Sequence, residues 1–310
     1  MFKNILIAGS GVVGSEIGFQ CAAGGLAVEM LDVSEDMIAA ARRRHGDFAA
    51  EFVSAGQMTE ADARVALSRI SYGTDAATAG ADADIVSESV SERIEVKEAI
   101  WRALSVACPA RTIFTTNTST LLPSVLASFT DRPERFVACH VGRPVWTSRL
   151  LEIMPHAGTD PTIIDPLRNF AHRIGLVPIV LNHEQPGYVS NSLIAPFVIA
   201  ALDLICRDIA SPQDIDRLWM GGLRGSMGPA ALIDLMGIPT VHTVLDQMAH
   251  DSGREDLRGI ADYLSQMLDR GLLGAQSGKG FYTYPNPAFE RADFLDGEPT
   301  AAPSSLPKES

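Results

Sequence analysis

Ile5-Leu6-Ile7-Ala8-Gly9-Ser10-Gly11-Val12-Val13-Gly14, answered downstream by Val28-Glu29-Met30-Leu31-Asp32, decides the fold of this chain. The apolar run at 5–8 reads as a strand, the glycines as a tight connection, and the residues after Gly14 as a helix. Each glycine has its own task. Gly9 permits the turn, Gly11 lets backbone approach a pyrophosphate, and Gly14 lets the helix pack closely on the strand. The first N–H groups of that helix, around Val12 and Val13, are then aimed at phosphate. Asp32 closes the second strand about 20 residues on, where a carboxylate bonds ribose hydroxyls and repels the extra phosphate of NADP. The stretch therefore predicts a βαβ unit that takes NAD. The plainer reading, in which Asp32 merely opens a turn before Ser34, leaves the glycine spacing unexplained.

Length and composition set the frame. With 310 residues and 46% hydrophobic content, the chain can bury one or two substantial cores, which suits two domains of ordinary size. Its longest apolar stretch, near Leu193 to Ile205, is broken by Pro196 and Asp203, and no basic segment leads into an apolar signal core. A soluble, cytoplasmic protein is expected. A net charge of −13 opposes attraction to nucleic acid or anionic membranes. Cys21, Cys108, Cys139 and Cys206 are widely spaced and form no CxxC pair, so reduced structural thiols are expected and no metal site.

Short apolar runs recur at Ile85-Val86, Ile113-Phe114, Phe136 to Ala138, Leu150-Leu151 and Val177 to Leu181, with helical patterns between several of them. This predicts an α/β fold: a Rossmann-like, doubly wound, mostly parallel sheet over 1–185, followed by an all-helical domain over 186–284. An Ala-rich insertion at about 34–69 has helical spacing and is too long for a simple crossover, as a projecting helical hairpin would be. The strand signals stop at Gln185-Pro186-Gly187. The helix around Leu193 to Ile205 is apolar on more than one face, which a dimer interface or a deep core would explain equally. Residues 285–310 lack apolar periodicity and are expected to be mobile or draped on the surface.

Thr116-Asn117-Thr118-Ser119 falls at the carboxyl end of a strand, on the edge where open α/β sheets bind ligands. The next strand, from Phe136, delivers His140 to the same edge, and Leu150-Leu151-Glu152-Ile153 places a carboxylate within an apolar run. Paired with His140, Glu152 would fix the imidazole tautomer and raise its basicity, giving a general base for alcohol oxidation. Taken alone, His140 reads equally as a satisfied core histidine, and Glu152 as a partner for any nearby arginine. Hydrolase, zinc-peptidase and P-loop readings fail: no GxSxG or HExxH occurs, and Gly274 to Gly280 lacks P-loop spacing.

Taken together, these residues resemble the 3-hydroxyacyl-CoA dehydrogenase family over nearly the whole chain, to about Tyr284. The resemblance rests on the opening glycines, Asp84 to Glu92 with Lys97, Thr116 to Ser119, His140 with Glu152, and Pro186 to Asn191. Met227-Gly228-Pro229 and Gly278 to Tyr282 complete it. It implies that His140 is the catalytic acid/base, Glu152 its orienting carboxylate, Ser119 a contact to the substrate oxygen, and Asn191 a polar residue at the domain junction. It also implies Glu92, Lys97 and Asn117 near the ribose and nicotinamide, a homodimer formed through the helical domain, and a place in fatty acid metabolism. From the residues alone, Lys97 could instead be a solvated helix residue paired with Glu92 or Glu95.

The departures bear on the substrate. Where the family usually reads His-Phe-Phe-Asn-Pro, this chain has His140-Val141-Gly142-Arg143-Pro144, so a guanidinium replaces an amide. The usual Phe after Gly228-Pro229 is Ala230, and an Asn-Arg pair is Asn191-Ser192. From Gly46 to Met58 there is no Lys or Arg to meet coenzyme A phosphates, which leaves Arg42, Arg43 and Arg44. The leading expectation is an NAD-dependent oxidoreductase for a short L-3-hydroxyacyl-CoA. The alternative is a free 3-hydroxy acid held by Arg143 as a carboxylate clamp, against which Arg143 turned outward onto an acidic neighbour is the plain reading. A second alternative is an NAD-binding protein whose catalysis has decayed.

Overall fold

The computed structural model describes residues 2–297. They form one sheet of eight strands followed by helices: β1 (Asn4–Ala8), β2 (Ala27–Leu31), β3 (Ile70–Gly73), β4 (Ile85–Glu88), β5 (Ile113–Thr116), β6 (Phe136–Val141), β7 (Leu150–Pro155) and β8 (Val177–Val180). The order across the sheet is β3-β2-β1-β4-β5-β6-β7-β8. All neighbours pair in parallel except β6 with β7, which are antiparallel. The predicted doubly wound α/β sheet is therefore the architecture, with β7 and β8 running opposite to the other strands at one edge.

Alternation along β1 shows why the strand reads as a continuous apolar run. Ile5 and Ile7 enter one core with Phe19, Val28 and Met30, while Leu6 and Ala8 enter another with Val86, Trp101 and Phe114. A parallel sheet covered on both faces needs apolar residues at every position. The connection from β1 leads into α1 (Val12–Ala23), capped by Gly11.

The insertion is two helices, α2 (Glu35–Ser54) and α3 (Glu60–Ser68). Ser34 caps α2 by accepting from the Met37 N–H, and Thr59 with Asp62 forms a capping box on α3. Ile38, Ala41, His45, Ala49 and Phe52 are buried at helical spacing along α2. His45 is a core histidine: its Nε2 faces the Ser15 carbonyl and its Nδ1 the Tyr72 hydroxyl. Burial drives its pKa down to about 4, so the ring is neutral, with Nε2 as the donor.

The chain divides after Ser190 into a first unit and a helical second unit. The second holds most of the helix Tyr188–Cys206, then Pro212–Leu223, Pro229–Met236, Ile238–Ser252 and Glu255–Asp269. By length and composition the first of these could cross a membrane. In this fold Val198 and Leu202 lie in the core of the second unit beside Ile233, Val241 and Leu264. Two buried carboxylates tie this unit together. Asp216 accepts from the Ala230 and Ala231 N–H groups and the Tyr282 hydroxyl, and Asp234 from the Phe281 and Tyr282 N–H groups and the Tyr284 hydroxyl.

The tail departs from expectation within the described residues. Phe289 and Phe294 are buried against Tyr282 and Ala230, because two short turns bring both rings back onto the unit. Residues 298–310 of the expected mobile tail lie outside the described residues.

Candidate active site

The carboxyl ends of β1, β4, β5 and β6 lie on one edge of the sheet, and the residues singled out from the sequence gather there. At β1 the glycine loop has the geometry its spacing requires. Gly9 has φ +103°, and a Cβ there would come 2.6 Å from the Ser89 carbonyl oxygen. A Cβ on Gly14 would lie 1.9 Å from the Gly9 carbonyl oxygen, whereas one on Gly11 would meet nothing within 4 Å. Among the described residues no side chain caps α1, which leaves its first N–H groups, near Val12 and Val13, for an anion. Asp32 accepts from the Ser10 N–H at 2.8 Å and the Ser34 N–H at 3.2 Å, so its carboxylate is fixed at the cleft wall. The cleft holds about 670 Å³ between Gly9, Gly11, Asp32, Val33, Met37 and Val90. Among the described residues, the buried Ser10 Oγ and Ser89 Oγ have no partner. These residues fit a dinucleotide.

His140 and Glu152 are directly opposite each other on β6 and β7. The antiparallel reversal of β7 thus turns a spacing of twelve residues into a cross-strand pair. His140 Nδ1 is 3.3 Å from Glu152 Oε2, and His140 Nε2 is 3.2 Å from Ser119 Oγ. A carboxylate only accepts, so Nδ1 carries the proton and Nε2 is left with its lone pair toward Ser119. Glu152 is nearly inaccessible to solvent yet fully satisfied: Oε1 accepts from the Val189 and Ser190 N–H groups and Oε2 from Ser190 Oγ. Burial raises its pKa, but the hydrogen bonds from His140 and Ser190 outweigh that and hold the carboxyl below its ordinary range.

Two supporting residues were not singled out from the sequence, although both lie in the Pro186 to Asn191 stretch. Tyr188 stacks on the His140 ring at 4.5 Å, with 17° between the planes, and donates its hydroxyl to the Thr118 carbonyl. Burial pushes its phenol pKa far up, so it stays a donor. Ser190 is the second, bonded to Glu152.

The Ser119 loop is held from below. Glu92 Oε1 accepts from the N–H groups of Ser119 and Thr120, each at 3.1 Å, and from the hydroxyls of Thr118 and Thr120. Lys97 is a buried counter-ion, 2.7 Å from Glu88 and 3.2 Å from Glu92. The pairing with Glu92 that the sequence offered is present, but the solvated helix position is corrected. With 1% of its side chain exposed it is not a solvated helix residue, because two carboxylates draw the ammonium inward. Asn117 faces the chain rather than open solvent, its Oδ1 accepting from the Val141 N–H at 3.0 Å. Asn191 is exposed at the start of the second unit.

Arg143 pairs with an acidic neighbour. Its Nη2 and Nε lie 2.8 and 3.3 Å from Glu16 Oε1, on α1. Glu16 is 95% buried, so its carboxylate needs a cation and neutralises the one beside it. One edge of the guanidinium is thereby occupied, as the acidic-neighbour reading has it, and half of the side chain stays exposed. Of the three arginines considered for phosphate, Arg44 bonds the Ser10 carbonyl and Ser15 Oγ, and Arg42 lies over the Tyr72 ring. Among the described residues, no cluster suited to a metal is present.

A dinucleotide cradle sharing one sheet edge with an imidazole, a hydroxyl and an orienting carboxylate defines the class of NAD-dependent dehydrogenases that act on CH–OH groups. Within that class the chain belongs to the 3-hydroxyacyl-CoA dehydrogenase family: the family's NAD binding domain matches residues 4–184 and its C-terminal domain residues 187–284. It is 30% identical to a probable 3-hydroxybutyryl-CoA dehydrogenase of Bacillus subtilis, over 91% of this chain and 97% of that one. The solved structure of a diketoreductase, studied for catalysis on dicarbonyl compounds, superposes with a TM-score of 0.85 at 38% identity, covering 91% of this chain and 99% of that one. The (S)-3-hydroxybutyryl-CoA dehydrogenase of Ralstonia eutropha gives 0.79 at 28% identity, covering 92% and 100%.

Proposed function

We propose that this dehydrogenase interconverts the L-3-hydroxy and 3-keto forms of a short acyl substrate, with His140 as the acid–base group. The observation that carries the reading is the line from Ser119 Oγ through His140 to Glu152, at 3.2 and 3.3 Å. NAD bound at the glycine loop and Asp32 supplies the hydride acceptor. In the oxidative direction His140 Nε2 takes the hydroxyl proton, Ser119 holds the substrate oxygen, and Glu152 stabilises the imidazolium. Tyr188 keeps the ring in plane. In the reductive direction the imidazolium returns the proton to the carbonyl oxygen.

The named relatives favour a CoA thioester as the carrier of that acyl group. A free dicarbonyl compound is the second reading. It is supported by the likeness to the diketoreductase and by the engagement of Arg42 and Arg44 within the first unit. With Arg143 committed to Glu16, a carboxylate clamp is not part of either reading. We also propose a homodimer through the helical unit, whose exposed Leu193, Leu218 and Leu223 give it an apolar surface to cover.

The test follows NADH consumption with acetoacetyl-CoA and, in parallel, with free 3-keto acids and diketones. His140→Ala should lower kcat by about 10²- to 10⁴-fold while NADH binding persists. Turnover of the thioester alone selects the first reading, turnover of free dicarbonyls alone selects the second, and a His140→Ala enzyme of undiminished kcat overturns both.

A further inference from the structure

The residues that follow His140 are fastened to the helix that follows the glycine loop. Glu16 sits on α1, and its two carboxylate oxygens divide the work. Oε1 takes the Arg143 guanidinium, and Oε2 accepts the Val145 N–H at 3.3 Å. The Val145 side chain is buried in the core. Next to it, Trp146 packs on Phe48 and Phe52 of α2, at 4.9 and 5.2 Å between ring centres, and donates its indole N–H to Glu51. On the His140 side, Asn117 holds the Val141 N–H. Gly142 leaves no room for a side chain, since a Cβ there would lie 1.9 Å from Ser148 Oγ. The segment 141–148 is thus bonded at consecutive points to Asn117 just after β5, to α1 and to α2.

We infer that Glu16 and Arg143 form a latch, and that Glu16 is a positioning residue for His140. A carboxylate this deeply buried is costly unless paired and hydrogen-bonded, and here both conditions are met by the segment leaving the catalytic strand. Arg143 is half exposed, with 51% of its side chain accessible, so it anchors the loop from outside while Glu16 anchors it from within. The inference rests on the reading of His140 as the acid–base group. Its consequence is that the loop is set by the first unit alone, before substrate arrives.

Hydrogen exchange and steady-state kinetics on Arg143→Gln, Glu16→Gln and the double variant test this. Arg143→Gln changes a half-exposed side chain and keeps the test open should Glu16→Gln fail to fold. Amides of 142, 143 and 145–148 should exchange at least tenfold faster in each single variant, with the double variant no faster than the worse single one, as expected for two ends of one contact. In the same proteins kcat should fall about tenfold while the NADH dissociation constant stays within twofold, and Arg143→Lys should recover part of kcat. Unchanged exchange overturns the latch, and faster exchange with unchanged kcat overturns the positioning role. If the wild-type protein turns over none of the offered substrates, the proposed function fails and the exchange arm still decides the latch.

Discussion

At the scale of single residues, this site works by surrounding each buried charge with donors. Glu152 carries His140 on one oxygen and two backbone N–H groups on the other, which explains how an ionised carboxylate survives behind an imidazole. Glu92, although 40% of its side chain is exposed, gathers donors from the Ser119 loop in the same way. Burial alone would raise its pKa, but the Thr118 hydroxyl, the Lys97 charge and the Thr120 hydroxyl bring it from 4.5 down to about 2. A depressed carboxyl pKa stabilises the folded state above the unfolded value and loses that contribution as pH falls toward the folded one. Wild type should therefore melt above Glu92→Gln at neutral pH, and the gap should narrow on acidification from about 4.5 toward about 2. Thermal melts across that range check it, and a gap independent of pH would detach Glu92 from this network.

At the scale of elements, the glycine loop separates two demands that the sequence presents as one motif. Gly14→Ala would drive a Cβ into the Gly9 carbonyl at 1.9 Å, a backbone contact that can be relieved only by moving α1 off the strand. Gly11→Ala meets open space. The expected outcome is a Gly14→Ala protein with a lowered melting temperature, beside a Gly11→Ala protein that melts as wild type and binds NADH at least tenfold more weakly. Equal effects of the two on stability and binding would contradict the division. Much of this was legible because strand, glycines and helix are contiguous, and the short apolar runs marked most of the other strands for the same reason. β3 was missed because, of Ile70-Ser71-Tyr72-Gly73, only Ile70 is buried, which leaves no alternation to read. The latch was illegible for a different reason. Glu16 is a lone acid in an apolar helix, and its partner lies 127 residues away, so no local pattern announces it. The burial of Lys97 was illegible because helical spacing puts it beside Glu92 without showing that Glu88 waits beneath.

At the scale of the whole molecule, the two units have cores with no residue in common: Ile5, Phe19 and Trp101 belong to the first, and Leu202, Ile233 and Leu264 to the second. The glycine loop, Asp32, Ser119, His140 and Glu152 all belong to the first unit, while Asp216 and Asp234 hold the Phe281-Tyr282 segment within the second. Asp216→Asn keeps the shape but turns an amide N–H₂ toward one of three buried donors, which costs about 1–3 kcal/mol. Because NADH binds the first unit, NADH affinity should be unchanged in this variant. NADH at 100 times its dissociation constant should add about 2.7 kcal/mol to the first unit's stability. Calorimetry of Asp216→Asn with and without NADH should show the helical unit's transition lowered by the mutation and left where it is by the cofactor. If NADH instead restores that transition in full, the two cores unfold as one cooperative body, and stability gained at the glycine loop is shared with the helices.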